Sequence, residues 1–407
     1  MHIPLKRLYT IYQNKIRHLA GDFMFSIIAS VVYAFARQIV VFPVLAFRLS
    51  ETANGTFLTV IALVSIYGVV EANTLNNIRL IEDNRYEEAG LQGDFNPLCA
   101  FYAAGSIVFA LILWRVFSLP PMTACFLMLY SPVSIFYYYG SVHFYKELQF
   151  KQLLVCSIIA SAGYLIGTVL FSTEQMWPLI FLLGDGLPLL YIIRKTHFLR
   201  EPWYRTQLFK QTVKKHIGLM GSGLLGNLLT YADRMLIYPI LGAANVSYYT
   251  TASFFGKSAA LVITPISGVL LGYFSQKGQR ASRKLFMLLN GLCLACLGLF
   301  LLGCSILGPW VTRLLYPTLY EEALPYLFLA NLGAVLAIAS QMAQPMILKF
   351  CSMRWNFWLQ VVYGVCYVAS AIVLLPTYRL YGFCLATIFA NIVRLLVMYT
   401  VGWVKFS

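Results

Sequence analysis

Ile217-Gly-Leu-Met-Gly-Ser-Gly-Leu-Leu-Gly-Asn-Leu-Leu-Thr-Tyr-Ala-Asp233-Arg234-Met-Leu-Ile-Tyr-Pro239-Ile-Leu241 is an apolar run with an acid and an arginine side by side near its end. After Gly242-Ala-Ala-Asn245 a second apolar run begins, and it holds Lys257. About 20 consecutive apolar residues cross a bilayer as a helix, so both runs read as membrane spans. An ionisable group in hydrocarbon costs roughly 3 kcal/mol or more, so it faces a wet cavity or a partner and marks a pathway. The plainer reading is that Asp233 and Arg234 neutralise neighbours and hold helices together.

The stretch has an echo about half a chain earlier. Arg37-Gln-Ile-Val-Val-Phe-Pro43-Val-Leu45 lines up with Asp233-Arg-Met-Leu-Ile-Tyr-Pro239-Ile-Leu241. Each copy puts charge shortly before a proline, in an apolar span that leads through a short loop to another span. Such a repeat is expected of a transporter built from two related halves.

Composition widens the reading to the whole chain. With 60% hydrophobic residues, 11% charged residues and a mean hydropathy of +0.73, a soluble globular protein is excluded, since those carry about 25% charge. The pattern predicts an all-α polytopic membrane protein with about twelve transmembrane helices in two six-helix lobes. The spans fall at 23–47, 56–73, 98–117, 122–140, 153–171, 177–193, 217–241, 246–274, 285–307, 323–347, 357–375 and 381–404. A basic amphipathic segment covers 1–22, an N-terminal lobe 23–193, a basic connector 194–216, and a C-terminal lobe 217–404. Residues 1–22 lack the apolar core of a signal peptide and read as a helix lying on the membrane surface. The segment Glu71 to Asp94 reads as a polar loop.

Loop charges give the orientation. If the N-terminus is cytoplasmic, 22 Lys and Arg fall inside, 4 fall outside (counting Arg115, at the outer end of its span, with them), and 4 lie deeper within spans. This obeys the positive-inside rule, supports an even number of spans and places both termini in the cytoplasm. It also accounts for the net charge of +15 without nucleic acid, for which no aromatic-basic module is present. The connector suits anionic lipid headgroups.

Enzyme motifs are missing. There is no P-loop and no H-E-x-x-H, and the histidines at 2, 18, 143, 197 and 216 are scattered. His143 beside Tyr137 to Tyr139 reads as interfacial packing. Nine cysteines give no disulfide framework, and Cys293-x-x-Cys296 reads as packing. Gly221, Gly223 and Gly226 read as close helix contacts or a bend. Asn54-Gly-Thr and Asn245-Val-Ser are glycosylation sequons in outside loops.

The candidate functional groups are the charges inside spans: Arg37, Asp185, Asp233, Arg234, Lys257 and Arg394. At ~1.5 Å per residue they lie roughly 10 to 20 Å deep, near the midplane where transporters bind cargo. Cations exceed acids among them, which suits an anionic headgroup, and arginine grips phosphate oxygens with paired hydrogen bonds. Pro43, Pro239 and Pro265 would kink spans and free backbone groups for a cavity. Asn227, Tyr231, Asn331, Gln341, Gln344 and Asn391 could line it or bond between helices.

Several motifs, in order, resemble those of the polysaccharide repeat-unit flippases (Wzx-type) of the multidrug/oligosaccharidyl-lipid/polysaccharide (MOP) exporter superfamily. They are Phe42-Pro43-Val-Leu-Ala-Phe-Arg-Leu-Ser50 with Gly55-Thr-Phe57; Ala232-Asp233-Arg234 with Gly242 and Val246-Ser-Tyr248; Leu314-Leu-Tyr-Pro-Thr-Leu-Tyr320-Glu-Glu-Ala323; and Tyr381-Gly382-Phe-Cys-Leu-Ala386. Ser247, Pro317 and Leu385 stand where the family pattern has glycine. The resemblance implies two six-helix lobes related by a pseudo-two-fold axis, in a bacterial inner membrane, around a cavity that alternates between the two sides. It implies undecaprenyl-pyrophosphate-linked oligosaccharide as cargo for O-antigen, capsule or exopolysaccharide synthesis, with the pathway's polymerase and glycosyltransferases as partners. It assigns the pyrophosphate to Arg37, Arg234 and Lys257, with Arg394 added from the charge pattern. Asp185 and Asp233 are left for charge balance or coupling to H⁺ or Na⁺. No other cofactor is expected, and a monomer suffices. The rival is a MATE-like cation-coupled drug or metabolite antiporter, which calls for an acid-dominated aromatic cavity.

Overall fold

Residues 24–25, 27–274, 282–351 and 353–405 are described by a computed structural model of the chain. The amphipathic segment read over 1–22 lies outside them. Every regular element among the described residues is helical, as expected where backbone groups must be satisfied within the segment. The helices are α1 (Ile27–Arg48), α2 (Glu51–Glu88), α3 (Phe95–Val116), α4 (Pro121–Gly140), α5 (Phe150–Phe171) and α6 (Trp177–Thr196), then α7 (Phe209–Thr230), α8 (Ala232–Leu241), α9 (Ala243–Ala252), α10 (Phe254–Phe274), α11 (Arg283–Leu315), α12 (Leu327–Phe350) and α13 (Met353–Lys405).

Eight helical stretches are long and apolar enough to cross a membrane, making this a multi-pass membrane protein. Taking α7 with α8 and α9 with α10 as one span each, and α13 as two, the helices match the twelve spans of the sequence. In α13 the two spans meet at Arg379, whose φ of 52° and ψ of −134° break the helix.

The chain forms two compact units. Unit 1 comprises Met1–Val41 and Val64–Leu225, and unit 2 comprises Phe42–Leu63 and Gly226–Ser407. The first cut falls where proline acts on α1. Pro43 has no N–H to continue the ladder, and the preceding backbone widens into a π turn at Ala36–Val41 that contains Arg37. Such turns gather at functional sites.

In unit 1, α2 runs on as helix to Glu88, where the sequence read a polar loop from Glu71. Its extra turns hold because the connector and the segment between α4 and α5 supply partners. Arg79 forks onto Glu201 at 2.7 and 2.6 Å. Lys215 meets Glu82 at 2.5 Å, and Lys146 meets Asp83 at 2.7 Å. Buried Asp94 accepts from Tyr86 Oη and from the Thr206 backbone N–H, both at 2.6 Å. His143 packs against Phe198, and burial beside Arg79 pushes it down to about 4. It is therefore neutral at pH 7 and serves packing.

Unit 2 contains the second copy of the repeat and the first copy from Phe42 onward, and within it the start of α2 is bonded to α9. Asn54 donates to Ser247 Oγ at 3.0 Å, and Ser247 donates to the Glu51 carbonyl at 2.7 Å. Tyr248 bonds the Glu51 carboxylate. Asn54 is 1% exposed, so the first sequon is closed to glycosylation.

Two predicted spans are broken here. The 217–241 span breaks at Tyr231, and the 246–274 span breaks at Ser253. The second break is stitched from α12: Asn331 donates to the Ala252 carbonyl at 2.8 Å and accepts from the Gly256 N–H at 2.7 Å. Asn331 thus serves the backbone rather than lining a cavity. Asn331→Ala would leave both groups buried without partners, at about 1–3 kcal/mol each. The expected result is a large fall in the detergent unfolding temperature, whereas Asn331→Asp, which keeps the acceptor, should lose less.

Candidate functional site

The sequence-predicted residues gather at two places, one in each unit. In unit 1, Asp185 of α6 is fully buried. Its Oδ1 accepts from Tyr164 Oη of α5 at 2.6 Å and from Tyr33 Oη of α1 at 3.0 Å. Its Oδ2 accepts from Tyr130 Oη of α4 at 3.2 Å. Three phenols replace the water a carboxylate loses on burial, and hydrogen bonds to a charged acceptor are the stronger kind. Arg37 stands one turn from Tyr33 and donates to its Oη at 3.4 Å. The guanidinium lies 5.4 to 5.8 Å from the ring centroids of Tyr33, Tyr164 and Phe181, within reach of their π faces. Arg37 makes no direct ion pair with Asp185.

In unit 2, Asp233 of α8 and Lys257 of α10 form an ion pair. The helix break at Tyr231 sets Asp233 in the first turn of α8, where an acid meets the positive end of the helix dipole. The pair lies on a cavity of about 390 Å³ whose walls come from α7, α8, α9, α10, α12 and α13. Arg394 of α13 lines the same cavity. Its guanidinium covers the Tyr363 ring at 4.8 Å, and its Nε has no hydrogen-bond partner. Arg234 takes another direction: it is 7% exposed, and its Nη1 donates to the Leu58 carbonyl at 3.1 Å.

The structure therefore brings Asp233, Lys257 and Arg394 together, and separately Arg37 with Asp185. Among the described residues Arg37, Arg234 and Arg394 form no ion pair. The cavity of unit 2 holds two cations and one acid, and that acid is engaged by Lys257. Such a surface can hold an anion; it has no spare carboxylate for a cation. No cluster of metal-ligating residues occurs among the described residues.

Reasoning from sequence missed the tyrosines around Asp185. Tyr is common in this chain, with 27 copies, and nothing in the spacing of 33, 130 and 164 singles them out. It also missed Gln360, which lines the same cavity as Gln344.

No protein-family model matches the sequence, and no curated protein sequence matches it. Solved structures do. The lipid II flippase MurJ, in an inward closed conformation, superposes with a TM-score of 0.67 at 17% identity, covering 95% of this chain and 86% of that one. The Vibrio cholerae MATE transporter VcmN gives 0.62 at 13% identity, with 96% of both chains covered. An inward-facing multidrug resistance MATE family transporter of the MOP superfamily gives 0.60 at 14%, with 94% of both covered. The chain shares the fold of these transporters, one of which is described as of the MOP superfamily; at these identities the likeness is one of fold. That fold agrees with the all-α, twelve-span, two-lobe class read from the sequence.

Proposed function

We propose that this chain is a flippase. It carries polyprenyl-pyrophosphate-linked oligosaccharide from the inner to the outer leaflet of a bacterial cytoplasmic membrane by alternating access, for O-antigen, capsule or exopolysaccharide synthesis. The observation that carries this reading is the uncompensated positive charge inside the spans, above all Arg394 in the cavity of unit 2. The fold neighbour described as a lipid II flippase supports it.

In this proposal Lys257 and Arg394 grip the pyrophosphate. Arg37, held by rings rather than by an acid, adds a second cationic anchor, and Arg234 adds fixed positive charge while it holds the Leu58 carbonyl. Asp233 pairs Lys257 when cargo is absent. When the pyrophosphate draws Lys257 away, Asp233 is left to take H⁺ or Na⁺; Asp185 is the other candidate for that role. Cargo drives the cycle only by binding one conformation better than the other, and exchange of Lys257 between Asp233 and pyrophosphate supplies such a difference.

The test is a deletion strain assayed for surface polysaccharide and for the leaflet that holds the lipid-linked unit. Loss of polymer with the unit trapped on the cytoplasmic leaflet is expected. Lys257→Ala and Arg37→Ala should each abolish surface glycan at unchanged protein level; normal glycan in both would remove the site assignment. The MATE-like antiporter remains the competing reading because multidrug transporters share the fold. Altered drug sensitivity on deletion, with glycan intact, would favour it.

A further inference from the structure

The cavity of unit 2 holds more than charge. Gln344 of α12 and Gln360 of α13 both line it, and neither forms a hydrogen bond with the described residues. A carboxamide taken from water into an apolar medium without partners costs roughly 2–7 kcal/mol. Two such groups on facing membrane helices are therefore groups that meet water or a polar ligand.

Their surroundings narrow the ligand. Gln360, Tyr363 and Tyr367 fall at positions i, i+3 and i+7 and so share one face of α13. The two rings lie near parallel, 5.7 Å apart at 17°. Arg394 sits over Tyr363, which places an unpaired cation on the same wall as Gln360. A carboxamide offers two donors and an acceptor, the mixture that sugar hydroxyls and acetamido groups require. A fatty chain would leave both amides unsatisfied, and a cationic drug would find the one acid already held by Lys257. The volume of about 390 Å³ falls within the roughly 300–1,000 Å³ usual for small-ligand sites.

We propose that Gln344 and Gln360 form a sugar-reading subsite, which holds the sugar next to the pyrophosphate while Lys257 and Arg394 hold the pyrophosphate itself. The proposal rests on the flippase reading and adds where the glycan is recognised. A site built to hydrogen-bond its ligand discriminates strongly against an analogue that lacks the bonding group, because its own polar groups are then left unpaired.

The experiment measures equilibrium binding of three lipids to the purified full chain: undecaprenyl pyrophosphate without sugar, and the same lipid carrying N-acetylglucosamine or galactose. The wild-type protein is expected to bind at least one sugar-bearing lipid about tenfold more tightly than the bare one, the effect of one or two net hydrogen bonds. Gln344→Leu with Gln360→Leu should bring all three to the bare-lipid affinity, and Gln360→Leu alone should give part of that loss. Retained affinity for the bare lipid certifies that the variants are folded. Arg394→Ala should weaken all three lipids alike.

Equal binding of the three lipids by wild type, or a sugar preference that survives the double substitution, would overturn the subsite and leave the flippase reading standing. No binding of any pyrophosphate lipid by wild type would overturn the flippase reading and the subsite with it.

Discussion

On the proposed flippase function, Arg394→Glu is expected to lower the rate at which lipid-linked repeat units reach the outer leaflet by at least about 100-fold, with the protein still present in the membrane. Arg394 reaches the cavity, stacks on Tyr363 and forms no ion pair among the described residues. Its charge is therefore available to an anionic ligand. Truncating one member of a desolvated, hydrogen-bonded charge pair costs about 2–5 kcal/mol, and each 1.4 kcal/mol is about tenfold in affinity. Reversal does more than truncation. It sets a second carboxylate on the cavity that holds Asp233, repels the pyrophosphate and offers Lys257 another acid to pair with. Arg394→Lys keeps the charge but loses the planar fork and the stacking on the ring, so an intermediate rate is expected. The check is an assay of outer-leaflet lipid-linked glycan normalised to protein by immunoblot. A glutamate variant within about threefold of wild type would remove Arg394 from the headgroup site.

The fold was legible in the sequence because its cause is. Apolar runs of span length, separated by short loops, leave few alternatives in a bilayer, and the eight long apolar helices fall where those runs are. The breaks at Tyr231 and Ser253 were not legible. A helix that stops inside an apolar span needs a partner for its freed backbone groups, and for Ser253 that partner is Asn331, more than seventy residues away in sequence. No local pattern carries such information. The candidate charges were visible as types, since an arginine in hydrocarbon stands out anywhere. Their division was not: Arg234 is adjacent to Asp233 in sequence, yet it bonds the Leu58 carbonyl while Asp233 faces the cavity. Neighbouring residues on a helix point in different directions, and composition cannot say which one meets the cavity.

Glycine shows the same contrast between pattern and packing. The sequence drew attention to Gly221, Gly223 and Gly226 as close helix contacts or a bend; nothing lies within 4 Å of where a Cβ would stand at Gly221 or Gly226, so close contact is not their role. The tightest of the described glycines is Gly55 of α2, which carries only a loose motif.

On the same proposed function, Gly55→Ala is expected to cut flipping by about 30-fold or more, and Gly55→Leu to abolish it. A Cβ at residue 55 would fall on the carbonyl oxygen of Ala243, at the start of α9. That neighbour is backbone, so no rotamer change relieves the overlap. The joint it interrupts is the one that ties the start of α2 to α9: Asn54 to Ser247, Ser247 to the Glu51 carbonyl, and Tyr248 to the Glu51 carboxylate. Overpacking costs about 1–3 kcal/mol in a well-packed interior, and the upper end applies where neither side can yield. About 2 kcal/mol shifts a two-state balance by roughly 30-fold away from the arrangement with the joint closed. If the joint closes once in each cycle of alternating access, turnover falls with the population of the closed arrangement. The same shift should expose the joint, which a cysteine at Tyr248 (Tyr248→Cys) reads directly by its rate of modification with a membrane-impermeant thiol reagent. Faster labelling together with slower flipping is expected in the Gly55→Ala background, while Gly221→Ala, with open space around it and outside the cavity lining, should leave both unchanged. If Gly55→Leu flips at the wild-type rate and Tyr248→Cys labels no faster, the joint is packing alone and takes no part in the cycle.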